Sequence, residues 1–83
     1  MITRKFNDLT YDLVATTFLG DPVYIVNLNG RLLGYLKERG TSKAWGHMRA
    51  DNLMAGFTYD AHWSTGAFEN LAKSDQERPV QNA

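Results

Sequence analysis

The chain has 83 residues, nine basic and nine acidic side chains, a pI near 6.7 and no cysteine. That length supports one small domain, and the missing cysteine excludes disulfide frameworks, thiolate metal sites and thiol nucleophiles. The apolar runs are too short to span a membrane, and Met1-Ile2-Thr3-Arg4-Lys5 leads into no apolar signal segment, so a cytoplasmic location is expected.

In chain order, residues 1–8 begin polar and are expected to fray, with Phe6 as a possible anchor. Leu9–Leu19, LTYDLVATTFL, is rich in β-formers and reads as a strand; a helix capped by Asn7 or Asp8 and stopped at Gly20 is its rival. Gly20-Asp21-Pro22 then predicts a turn, since proline cannot continue a ladder.

Val23–Lys37, VYIVNLNGRLLGYLK, is the organising stretch. Asn29-Gly30 accepts positive φ at both positions, which predicts a two-residue β-hairpin turn. An unbroken register then pairs Tyr24 with Tyr35, Val26 with Leu33 and Leu28 with Arg31 on one face. The other face pairs Val23 with Leu36, Ile25 with Gly34 and Asn27 with Leu32.

Gly40-Thr41-Ser42 reads as a loop flanked by Arg39 and Lys43, without the spacing of a P-loop. Trp45–Met48 and Phe57–Trp63 predict a second hairpin around Arg49–Asn52, with Gly46 and Gly56 marking bulges or close backbone approaches. Thr65 is suited to cap a helix over Ala67–Lys73, whose stripe of Phe68, Leu71 and Ala72 must dock on Val23, Ile25, Leu32 and Leu36. The expected fold is therefore α+β: a small antiparallel sheet of four to five strands, a meander with a central Asn-Gly hairpin, and one short C-terminal helix on one face. Residues 1–74 form this single domain, and 75–83 have little to bury and are expected to be a disordered tail.

Charge is uneven. Residues 31–49 hold Arg31, Lys37, Arg39, Lys43 and Arg49 against Glu38 alone, whereas residues 50–83 hold two basic and five acidic side chains. Aromatics interleaved with the basic stretch suggest a nucleic-acid-binding module, but a near-neutral pI argues against it. His47, Asp51 and the Asp60-Ala61-His62 triplet are the candidates for acid–base or metal chemistry. Their spacing matches no metal motif, and Ser64 and Thr65 suit a helix start better than a nucleophile elbow. No enzyme activity and no cofactor are expected.

Val23-Tyr24-Ile25-Val26, Asn29-Gly30-Arg31-Leu32-Leu33-Gly34-Tyr35-Leu36, Trp45, and Trp63-Ser64-Thr65 opening a helix with Leu71 together resemble the small orphan accessory proteins of bacteriophage and prophage genomes. The resemblance covers roughly residues 22–72. Gly66 stands where a basic residue is often found, and no active-site residue carries over. It implies a non-enzymatic protein that binds and inhibits or redirects a host or defence-system protein in the host cytoplasm, with nucleic acid as the alternative partner and no membrane role. Tyr24, Arg31, Tyr35, Lys37, Arg39 and Trp45 are the expected partner-binding residues, because rigid aromatics beside basic groups form hot spots.

Overall fold

A computed structural model of the chain describes residues 2–40 and 42–77. Six strands, β1 (Ile2–Phe6), β2 (Leu9–Phe18), β3 (Asp21–Leu28), β4 (Arg31–Glu38), β5 (Trp45–Arg49) and β6 (Thr58–Ala61), form one antiparallel sheet in sequence order. The sheet curls into a half-barrel around helix α1 (Ser64–Gln76). Three strand connections are two-residue turns with positive φ at both positions: Asn7-Asp8, Leu19-Gly20 and Asn29-Gly30. Such turns match the strand twist, so each hairpin closes without splaying.

The α+β class, the meander and the central turn agree with the sequence reading, but the sheet has six strands rather than four or five. The additional strand is β1, where residues expected to fray pair with β2 from Ile2↔Leu13 to Phe6↔Leu9. Its Ile2, Arg4 and Phe6 share the face of Tyr11 and Leu13, and Phe6 packs on the core. Residues 9–18 are strand, not helix. Proline is also accommodated within a ladder, as Pro22 opposes Thr17. Phe18↔Asp21 closes the turn as the hydrogen-bonded pair, so the nitrogen of Pro22 points away from β2. It points towards β4, whose pairing with β3 ends at Tyr24↔Leu36.

The hairpin register holds for Leu28↔Arg31 and Asn27↔Leu32 and then shifts, giving Val26↔Gly34, Ile25↔Tyr35 and Tyr24↔Leu36. Leu33 is the extra residue of a bulge. Because side chains alternate every residue, this slip exchanges the faces of everything beyond it on β4. Tyr24 and Tyr35 therefore lie on opposite faces rather than opposing each other.

On the helix side, Tyr11, Leu13, Val26, Leu33 and Leu36 pack with Ala67, Phe68, Leu71 and Ala72. Phe68 meets Tyr11 edge-on, with ring centroids 5.2 Å apart. Each large side chain removed from water in this way contributes about 1.5–3 kcal/mol. Of the predicted docking residues, only Leu36 faces the helix; Val23, Ile25 and Leu32 alternate to the other side. The helix starts one residue before Thr65, with Trp63 as its N-cap and no side-chain capping bond. It also includes Asp75 and Gln76, which the sequence reading assigned to the tail. Gln76 Nε2 donates to the Tyr11 hydroxyl at 2.7 Å and to the Phe6 carbonyl at 3.3 Å. The rest of the expected tail, residues 78–83, lies outside the described residues.

Candidate functional site

The six expected partner-binding residues do not form one patch. They fall in three places, each with its own chemistry, and Lys37 borders two of them.

Arg31 reaches the end of α1. Its guanidinium donates to both carboxylate oxygens of Asp75 at 3.2 and 3.3 Å, and Arg49 approaches the same carboxylate at 3.9 Å. A carboxylate in the last turn of a helix is disfavoured by the helix dipole. These two arginines compensate for it and fasten the helix end to the sheet.

Tyr35, Lys37 and Arg39 belong to the face away from the helix. The Tyr35 ring packs on Phe18 at 4.9 Å, and Phe57 packs on Tyr59 at 5.9 Å. Lys37 Nζ lies 5.5 Å from the Phe57 ring centre, and the Arg39 guanidinium lies 5.3 Å from that of Tyr59. Beneath these groups Val23 and Met48 are each only 4% exposed. The outer face thus covers itself as a second, wetter core layer, and Tyr35 is part of that packing.

Tyr24 and Trp45 lie on the inner face, where α1 leaves one end of the sheet uncovered. Their rings are inclined by 26° with centroids 6.3 Å apart, and both are half-buried. They line a cleft of about 570 Å³ together with Ala15, Pro22, Lys37 and Glu38. Backbone alignment explains the convergence: Tyr24 faces Leu36, and Glu38 faces Trp45, so the two rings flank the end of β4. At the rim, Lys37 donates to Asp21 Oδ2 at 2.9 Å. That hydrogen bond holds the ammonium charged above the usual lysine range. The same end of the molecule exposes Leu19 in the β2–β3 turn, at 89%, and Trp63 at the start of α1, at 75%.

Three of the six residues, Tyr24, Lys37 and Trp45, therefore meet at this cleft, while Arg31, Tyr35 and Arg39 serve elsewhere. Pro22 and Glu38 also line it, although sequence reading did not select them. Their only signal was their position relative to the bulge: the register shift brings the end of β4 level with Tyr24.

The histidine chemistry is resolved differently from the sequence candidates. His47 Nδ1 lies 3.6 Å from Asp60 Oδ1, which accepts a hydrogen bond from Asn70 Nδ2 at 3.0 Å. Asp51 instead receives a two-pronged contact from Arg49, with both distances 2.9 Å. Burial pushes the His47 imidazole below the ordinary histidine range, reinforced by Arg49 and opposed by Asp60. Among the described residues, no three His, Cys, Asp or Glu side chains are grouped to hold a metal ion. No helix of the described residues is long and apolar enough to cross a membrane. Comparison with protein-family models, with curated proteins and with solved structures found no match.

Proposed function

We propose that this chain is a non-enzymatic binding protein whose Tyr24–Trp45 cleft receives part of a protein partner. In line with the sequence resemblance, it acts as an accessory protein that inhibits or redirects a host or defence-system protein. The observation that carries this reading is the pair of half-buried aromatic rings lining an open cleft, at the end of the molecule where Leu19 and Trp63 are also exposed. Aromatic anchors beside exposed apolar side chains are the composition from which protein interfaces draw their binding energy. A standard interface takes about 800 Å² per partner, a modest part of the 5520 Å² accessible here.

Nucleic-acid binding is less favoured because carboxylates already engage much of the basic middle segment. Arg31 pairs with Asp75, Lys37 with Asp21, and Arg49 with Asp51. Phosphate binding gains its affinity from cations able to displace counterions, and these pairings compete with that.

The reading is tested with a photocrosslinking amino acid placed at Ala15 on the cleft, or at Thr3 on the far strand as a control, in the producing cell. A defined protein adduct from position 15 and none from position 3 is the expected result. Equal labelling from both positions, or nucleic acid co-purifying with a steep salt dependence and no protein adduct, overturns it.

A further inference from the structure

We infer that the cleft recognises an extended, proline-containing segment carrying a basic side chain. This rests on the protein-binding reading above and adds the chemistry of the segment that enters.

The mode of docking follows from where the cleft lies. Its aromatic rings stand on β3 and β5, and β2, β3, β4 and β5 each have a neighbour on both sides; where β3 and β4 part beyond Tyr24↔Leu36, the β3 residue turned to the gap is Pro22, which has no N–H. The cleft therefore offers no continuous ladder on which an incoming chain could add itself as a further strand. A polyproline II segment needs no ladder. It has no internal hydrogen bonds, loses little conformational entropy on binding, and lays its rings on aromatic faces. Tyr24, Trp45 and Pro22 supply such faces. From Ala15 on β2 to Trp45 on β5 there are three inter-strand steps of about 4.8 Å, or roughly 14 Å. At 3.1 Å per residue, that accommodates about four to five residues of polyproline II.

The sign of the partner's charge follows from the rim. Asp21 and Glu38 place two carboxylates beside the cleft against the single ammonium of Lys37, which already pairs with Asp21. Glu38 is exposed and directly opposes Trp45. A cation following the prolines is therefore favoured there, whereas an acidic segment is repelled.

The test uses the full chain with both tryptophans in place and follows binding by isothermal titration calorimetry. The chain is titrated with a blocked, proline-rich decapeptide containing a single arginine, with the same peptide carrying glutamate in place of arginine, and with a version whose prolines are alanine. Saturable binding of the first peptide is expected, with the other two weaker by at least about tenfold. Glu38→Lys should reverse the arginine–glutamate preference, and Glu38→Gln should abolish it. Circular dichroism verifies that both variants are folded. No binding of the arginine peptide, or binding indifferent to peptide charge and to Glu38, overturns the inference. If the Ala15 photocrosslink still captures a protein under those circumstances, the protein-binding reading survives and only the ligand class is wrong; if it does not, both fall.

Discussion

Gly34 is the position at which the sheet can least accept a side chain. A Cβ built there would run into the Met48 carbonyl oxygen, with Leu71 Cδ1 at 3.1 Å and Arg49 Cα at 3.2 Å. Two of these three obstacles are the backbone of β5, so rotating a side chain cannot relieve the clash and Gly34→Ala must spread β4 from β5. Overpacking typically costs about 1–3 kcal/mol, and the backbone obstacles place this case near the top, at about 3 kcal/mol. A domain of this size holds roughly 4–12 kcal/mol in total. The variant should therefore lower the melting temperature by about 12–24 °C, read by circular dichroism and by urea unfolding. Gly40 is the control: no heavy atom lies within 4 Å of a Cβ there, and its φ is not in the left-handed region. Gly40→Ala should be neutral or stabilising by up to about 1 kcal/mol. If Gly34→Ala fell within about 0.5 kcal/mol of the parent, an ordinary surface effect, the close β4–β5 approach would be refuted.

Further outcomes follow from the same packing. Leu19 holds φ of 53° while 89% exposed, so Leu19→Asn should raise stability by about 0.5–1 kcal/mol in urea unfolding, because asparagine tolerates this conformation better. Gln76→Ala removes the partner of the buried Tyr11 hydroxyl and should cost about 1–3 kcal/mol; an unchanged midpoint would show that the helix end contributes nothing. His47 has a folded pKa below its unfolded value of 6.5, so the unfolded chain binds its proton more readily. Its contribution is present above that value and is lost as pH falls through the lower folded pKa. His47→Gln should flatten this acid-side decline in melting temperature, and an unaltered slope would contradict the assignment.

The parts of the fold legible in the sequence are those specified by local chemistry. Asn29-Gly30 identified its turn because both positions need positive φ, and Phe68, Leu71 and Ala72 identified the buried stripe of α1 by their spacing. Strand β1 is not legible because ITRKF alternates only weakly and Asn7-Asp8, the turn that joins it to β2, reads equally as a helix cap. The Leu19-Gly20 turn was displaced in the reading by Pro22, whose missing N–H proves harmless on that side of the strand. The largest consequence came from Leu33. A bulge is a property of two strands together, and one extra residue on β4 turned Tyr35 to the outer face while Tyr24, on β3, stayed on the inner one. The candidate site was accordingly half legible: its aromatic and basic members were visible, but not the faces they occupy.

The most direct test of the account is a ¹⁵N–¹H spectrum of the labelled chain, including the indole N–H groups, titrated with the protein captured by the Ala15 photocrosslinker. The account predicts shifts concentrated at Tyr24, Glu38 and the Trp45 indole, with the outer-face residues Tyr35, Phe57 and Tyr59 unperturbed. Shifts confined to Tyr35, Phe57 and Tyr59, with the cleft silent, would contradict it.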